Sequence, residues 1–416
     1  MPNTPIATRI VDKLQKAGYL SYFAGGWVRD FIMKKPSDDI DIVTSASVEE
    51  IQKIFPKTIP VGIAFGIVIV VEEGIQFEVA TFRQDEGYSD GRRPSKVIKA
   101  SPEEDAQRRD FTINGMFYDP ISQTLFDFVG GQKDLQKGII RAIGNPQERF
   151  LEDRLRMMRA VRYSTRFNFP IESDTLQAIL AQAETLLPAV AHERIWQEFK
   201  KMSQYAHFNT GLVVLHKLNL LPTIFPVLKG IKMEEIQQRV ACISYYPPSA
   251  PPIAELLELF PNFSLDAQLQ ICEYLKLSNQ EKDFVRYLYE LRQLIKAEDD
   301  LYSSIEPISW AKIYANSFSE TSLLIIASKM PLELRDRFLS SHLKRRQLLE
   351  QAILRIHSQS PLVRSTDLIE LGVAPGIKMG KLLKEAERIS VNEGLENRID
   401  VLKQLKNSPL WMDGLP

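Results

Sequence analysis

The stretch "PSDDIDIVTS", Pro36–Ser45, sets acidic residues alternating with Ile and Val directly after "FAGGWVRDFIMKK", Phe23–Lys35. Residues two apart in a strand share a face, so Asp39 and Asp41 converge while Ile40 and Ile42 pack behind them. Two adjacent carboxylates repel, and a buried pair is tolerable only where a cation or a shared proton offsets the charge. A lone Asp-x-Asp also fits a solvated strand end, so its neighbours decide. Upstream, "AGGWVRD" puts Gly25 and Gly26 at a strand-to-helix turn with Arg29 about one helical turn in. Glycines admit a ligand close to the backbone, the first amides of a helix face an anion, and an Arg fork suits phosphate. A phosphate cradle just before paired carboxylates points to a nucleoside triphosphate held through Mg²⁺, with a hydroxyl attacking its α-phosphate. Glu78, in "IQFEVATFR", reverses the polarity of its neighbours Phe77 and Val79 and offers a third carboxylate.

Around this stretch the first third of the chain mixes short strands and helices. "GYLSYFAGG" and "DIDIVTS" read as strands, "SVEEIQKIFP" as a helix, and "FGIVIVVEEGIQFEVATFR" as a hairpin turning near Glu73-Gly74. From about Asn145 onward strand signals nearly vanish and apolar residues recur at three and four, as in "DTLQAILAQAETLL". The expected fold is α+β: a mixed-sheet head followed by all-α segments. Prolines in "SYYPPSAPPIAELLELFP" mark a break near residues 247–252, and a second break falls near "SQSPLVRSTD". A chain of 416 residues is too long for one ordinary core.

With 44% hydrophobic and 25% charged residues the composition is that of a globular protein, and a net charge of −1 gives no global pull on nucleic acid. Any polyanion site must come from local clustering. Cys242 and Cys272, the only cysteines, sit in apolar surroundings and read as free thiols of a reducing compartment. No apolar run approaches the roughly 20 residues of a membrane span, and the amphipathic N-terminus is unlike a secretion signal. A cytoplasmic location is expected.

"ERFLEDRLRMMRAVRYSTRF", Glu148–Phe167, reads as one helix on which Asp153 and Arg156, three apart, lie side by side. A carboxylate beside a guanidinium accepts from an amino group and donates to a ring nitrogen. Adenine and cytosine present that order, whereas guanine and uracil reverse it. An ordinary helix salt bridge is the competing reading. The same helix carries Arg159, Arg162 and Arg166 with no acid between Asp153 and Glu172, which suits a triphosphate or an RNA backbone.

With these residues in view, the chain resembles the class II tRNA nucleotidyltransferase and bacterial poly(A) polymerase family, a branch of the polymerase-β-like nucleotidyltransferases. The likeness runs in order through "GGWVRD" with "DDIDIVTS", "RRDFTINGM" (Arg108–Met116), "EDRLRMMRAVR" and "HERIWQEFKKM" (His192–Met202). It implies a catalytic head over residues 1–144, a base-recognising helical neck over 145–210, a body over 211–330 and a tRNA-binding tail over 331–416. It further implies that Asp39 and Asp41 hold Mg²⁺, with Glu78 at a third acidic position. Gly25, Gly26 and Arg29 meet the triphosphate, and Arg109 and Asp110 contact the nucleotide and couple head to neck. Asp153 and Arg156 form an amino-acid template that selects C or A, Arg159 and Arg162 complete the pocket, and "HERIWQEF" stiffens the neck. The implied reaction adds C and A to tRNA 3′ ends from CTP and ATP without a nucleic-acid template. Neither a membrane nor a protein partner is implied.

The segment "RQDEGYSDGRRP", Arg83–Pro94, reads as a mobile loop. In the family a loop here helps turn the template from C to A and is shortened in members that add only CC, so CC-only addition is not expected. An A-adding specialist stays open, the more so because Gly115 stands where the family's "RDFTxN" is usually followed by Ala. Poly(A) polymerases of the family usually carry a basic C-terminal extension, and none follows "SPLWMDGLP". Lys344, Arg345 and Arg346 are candidate RNA contacts or an exposed helix face. A rival from another class is a catalytically silent RNA-binding relative.

Overall fold

The computed structural model describes residues 3–61, 65–88, 94–298 and 305–412. They group into two compact units, Met1–Ala241 and Cys242–Pro416. Head, neck and the first part of the expected body thus fall in the first unit.

That unit opens with α1 (Thr4–Lys16), whose Ile6, Ala7, Ile10, Val11 and Leu14 recur at helical spacing and are buried. Then come β1 (Ser21–Ala24), α2 (Gly26–Ile32), β2 (Asp41–Thr44), α3 (Val48–Ile54), β3 (Thr58–Ile59), β4 (Ile67–Glu72) and β5 (Ile75–Thr81). A capping box starts α3: Ser47 Oγ accepts the Glu50 amide while the Glu50 carboxylate accepts that of Ser47. The β4–β5 hairpin turns at Glu73 and Gly74, both left-handed at φ 52° and 79°, as a tight two-residue turn requires. Following are β6 (Arg83–Tyr88), β7 (Pro94–Lys99), α4 (Pro102–Gln107), a 3-10 turn Thr112–Asn114, β8 (Phe117–Asp119), β9 (Thr124–Phe126) and α5 (Gly131–Lys137).

Seven strands form one mixed sheet in the order β3-β4-β5-β2-β1-β8-β9, with only β2 and β5 parallel. Phe23, Ile42, Val68, Val70, Phe77 and Val79 bury one face of this sheet against the apolar stripes of α1 and α3. The sheet therefore carries the end of β1 and the start of β2 side by side, with Ala24 opposite Asp41.

The expected loop Arg83–Pro94 is corrected. Its first half is a strand, β6, pairing with β7 from Arg83↔Lys99 to Tyr88↔Pro94 in a separate two-stranded sheet. A ribbon of this kind needs no apolar face, so its polarity hid it. The middle of that loop, residues 89–93, lies outside the described residues.

Helices then follow alone among the described residues: α6 (Pro146–Glu152), α7 (Leu155–Phe167), α8 (Ser173–Gln182), α9 (Leu186–Ala189), α10 (His192–Ser203) and others to Val240. The segment expected as one helix around Asp153 is two. Asp153 has extended angles, φ −144° and ψ 102°, and its Oδ1 accepts the Leu155 amide at 3.1 Å. A short acidic side chain that bonds nearby amides competes with helix continuation and starts α7 afresh.

The second unit is helical throughout its described residues. Its expected breaks fall between Tyr245 and the helix Pro252–Leu256, and between the helices Glu350–His357 and Ser365–Glu370. Lys344, Arg345 and Arg346 lie on the helix Leu332–Leu348, where Lys344 and Arg346 are exposed and Arg345 packs 4.2 Å from the centre of the Trp310 ring. Cys242 and Cys272 are free thiols. No helix among the described residues is long and apolar enough to cross a membrane.

Gly115, which follows the 3-10 turn, has a packing reason to lack a side chain. A Cβ there would lie 2.7 Å from Val129 Cγ2 and 2.9 Å from Ile143 Cδ1. Replacement Gly115→Ala is therefore expected to destabilise the protein by about 1–2 kcal/mol through overpacking. Urea unfolding checks this, as a lower midpoint at unchanged slope.

Candidate active site

Between the sheet and α7 lies a cleft of about 760 Å³ that collects most of the residues singled out in the sequence. Its floor is the β1–α2 turn. Gly25 is left-handed at φ 67°, and a Cβ there would sit 3.4 Å from Arg109 Nη1 and 3.5 Å from Asp41 Oδ2. Only glycine takes this angle cheaply while keeping that space open. Asp41 opens β2, and Ile40 and Ile42 on either side of it are buried as the alternation demands. Asp39 lies just before the strand and is exposed, yet it lines the same cleft.

Glu78 stands alongside Asp41, because β5 runs parallel to β2 with Ile42 opposite Val79. Its side chain is exposed and does not line the cleft. Burial first, then the charges of Glu78 and Asp39, push Asp41 up to about 6 against the pull of Arg109. The hard oxygens of Asp39 and Asp41, crowded with negative charge that Arg109 offsets only in part, fit a divalent cation. Among the described residues no third His, Cys, Asp or Glu joins them at ligating distance. Further positions on such an ion therefore fall to water and substrate oxygens.

Arg29 lines the cleft and is held there by other side chains. It is buried, and its fork grips its own neighbour, Nε to Asp30 Oδ1 at 2.9 Å and Nη2 to Asp30 Oδ2 at 3.0 Å, while Nη1 donates to Asn114 Oδ1. The guanidinium also packs over the rings of Phe167 and Tyr163. This arginine shapes the cleft wall: three of its five N–H donors are engaged, and one on each terminal nitrogen is left over.

From Arg29 a polar chain runs on. Asn114 donates to Asp110 Oδ1 at 3.3 Å, and Asp110 Oδ2 accepts Arg159 Nε at 2.7 Å. At the other end Asp30 Oδ2 accepts Arg166 Nη2 at 2.8 Å. Arg162 donates to Glu198 on α10. The row Arg159, Arg162 and Arg166 thus has its acids after all, supplied by other elements rather than by its own helix. Burial would raise the Asp110 carboxyl, but the Arg159 guanidinium, with Arg156 and Asn114, holds it at about 2. Arg109 grips the buried Asp105 through Nε and Nη2, at 3.1 and 3.0 Å, and leans over the Phe117 ring.

Asp153 and Arg156 both line the cleft but do not bond to each other. Asp153 Oδ1 accepts the Leu155 amide and Arg194 Nη1, the latter at 3.4 Å, and Oδ2 accepts Arg194 Nη2 at 3.0 Å. Arg156 Nη1 donates to the Arg149 carbonyl at 3.0 Å and to Glu152 at 2.6 Å, and Nη2 to the Arg108 carbonyl at 3.1 Å. A carboxylate oxygen has two acceptor directions and a guanidinium five N–H donors. Among the described residues this leaves one open acceptor on Asp153 Oδ2, and Nε–H with one Nη2–H on Arg156. One acceptor beside such donors is the pattern complementary to an amino group next to a ring nitrogen.

The sequence reading missed Asp30, Asn114, Glu152, Arg194 and Glu198 as site residues. Each lies inside a motif quoted for the resemblance, and that membership was the available signal.

Residues 21–141 match the model of the "Poly A polymerase head domain", and residues 168–231 match the "Probable RNA and SrmB- binding site of polymerase A". The chain is 33% identical over 402 residues to the CCA-adding enzyme of Streptococcus gordonii, covering 95% of each. It is 47% identical over 197 residues to that of Ligilactobacillus salivarius, covering 47% of this chain and 48% of the relative. Among solved structures, the crystal structure of Bacillus stearothermophilus CCA-adding enzyme in complex with CTP superposes with a TM-score of 0.79 at 28% identity, covering 98% of both chains.

The Asp110–Arg159 pair sets an acid limit. The folded carboxyl titrates near 2, below its unfolded range near 4. Its stabilisation is therefore full above pH ~4 and is lost as pH falls towards 2, amounting to roughly 2 kcal/mol. Asp110→Asn is expected to flatten the stability–pH curve over that window, measured by denaturant unfolding at stepped pH.

Proposed function

Because the chain belongs to the class II tRNA nucleotidyltransferase and bacterial poly(A) polymerase family, we propose that its cleft joins one nucleotide at a time to an RNA 3′ end, with protein side chains in place of a template. It is a nucleotidyltransferase that adds C and A to tRNA from CTP and ATP. What carries this reading is that a pair of crowded carboxylates and a donor–acceptor base reader line one cleft.

Asp39 and Asp41 would hold Mg²⁺. When bound, the ion lowers the pKa of the attacking 3′-hydroxyl and offsets charge at the α-phosphate. Gly25 keeps the floor free of a side chain where the nucleotide passes Asp41, and Arg109 adds positive charge beside it. Arg159, Arg162 and Arg166 face the phosphates. Their carboxylate partners use only some of their donors, so the remainder are oriented before substrate arrives. Asp110 and Asp30 act indirectly, by fixing those arginines. Asp153 and Arg156 accept cytosine or adenine, and turn away guanine and uracil because these would set lone pair against lone pair.

The four-part division into head, neck, body and tail belongs to the same reading. The tail follows the RNA, with Lys344 and Arg346 at phosphates, and the enzyme works in the cytoplasm.

Incubation with tRNAs lacking CCA, lacking CA or lacking only the terminal A, with CTP and ATP supplied separately, tests the reaction. C should enter the first two and A the third. Entry of A alone, onto the third only, identifies an A-adding specialist, and long A tails identify a poly(A) polymerase. No incorporation at all would indicate the silent RNA-binding relative.

Two substitutions separate chemistry from selection. Asp153→Ala should erode base choice more than turnover. Asp41→Asn should end turnover, yet raise the thermal midpoint of the metal-free protein at pH 8. The sign follows from the raised pKa: ionised Asp41 costs stability at pH values above its unfolded pKa, fully so above about 6. Below pH ~4 the two proteins should melt alike.

A further inference from the structure

Asp153 sits between α6 and α7 with extended backbone angles, and from its own stretch of chain only the Leu155 amide, 3.1 Å from Oδ1, holds its side chain. That bond leaves Oδ2 unheld, and both oxygens are met by Arg194, 41 residues away on α10, whose two terminal nitrogens reach them at 3.4 and 3.0 Å. The helix α10 is itself tied to α7 by the buried Arg162–Glu198 pair, so the anchor is firm. We propose that Arg194 is a positioning residue for base choice: its fork leaves the Asp153 carboxylate a single open acceptor direction, and that restriction is what lets a cleft read an amino group. The proposal rests on the assignment of Asp153 and Arg156 as base readers and extends it to a residue outside that pair.

The argument is one of counting. A free carboxylate offers about four lone-pair sites and turns about its bonds. It would accept the ring N–H of guanine or uracil as readily as the amino group of cytosine or adenine. With Arg194 and the Leu155 amide occupying three of those sites, the remaining direction on Oδ2 is fixed against Arg156. Arg194 also neutralises the carboxylate, so an incoming triphosphate meets no bare negative charge at the mouth of the reader.

The test uses the full-length protein and kcat/KM for CTP, ATP, UTP and GTP. Arg194→Met should lose about tenfold or more of its discrimination against UTP and GTP, while kcat with CTP falls much less. Arg194→Lys, which can hold one oxygen, should keep part of that discrimination. In the double variant with Asp153→Ala, discrimination should be no worse than in Asp153→Ala alone, since a residue acting through Asp153 has nothing left to position. A uniform fall with all four nucleotides, or additive losses in the double variant, overturns the proposal. Should Arg194→Met not fold, intact discrimination in both Arg194→Lys and Arg194→Gln overturns it. Intact discrimination in Asp153→Ala would overturn the base-reading assignment and this proposal with it, whereas intact discrimination in Arg194→Met alone overturns only the proposal.

Discussion

The cleft depends on the partly buried bond between Asp110 and Arg159 and on the polar chain that continues from it through Asn114, Arg29 and Asp30 to Arg166. Buried ion pairs add little net stability, since desolvation consumes most of the attraction. Breaking one is another matter, because the stranded charge costs about 3–5 kcal/mol. Such a chain therefore acts as a registration device. It tolerates one placement of α7 against the β1–α2 turn and penalises the rest, and the distance from Asp39 and Asp41 to Asp153 and Arg156 follows from that placement.

Electrostatics inside the cleft divide along the same line. On one side each arginine of α7 has a carboxylate partner and sits in place before any ligand arrives. On the other, Asp41 is crowded by burial and by Glu78 and Asp39, with only Arg109 to oppose them. Satisfied charge orders the cleft, and unsatisfied charge gathers at Asp41. A fold optimised for stability alone would not retain the second group.

Much of this was legible in the chain itself. Alternation of Ile with Asp gave away β2, paired glycines the turn before it, and the change of apolar spacing near Asn145 the end of the sheet. What escaped detection shares a physical cause. Local spacing sees residues three or four apart, whereas Arg159, Arg162 and Arg166 find their acids 49, 36 and 136 residues away. The tie from Arg29 to Asn114 spans 85 residues, and although Asp30 is its chain neighbour, adjacency alone does not show that the two side chains bond. Asp153 looked helical because its neighbours favour helix, and a side chain capping the next turn outweighed that preference. The β6–β7 ribbon was hidden by polarity, since a strand without a core to face carries no apolar signature.

The Arg156 guanidinium is held by the peptide oxygens of Arg149 and Arg108 as well as by Glu152. Peptide oxygens survive any codon change. On the proposed role of Asp153 and Arg156, an attempt to retune the enzyme towards other letters by exchanging these two side chains would leave the anchors aimed at the old arginine, and a shorter replacement would strand them without partners. Changes of alphabet should accordingly be rare among natural variants and should come bundled with shifts in the backbone around residue 108.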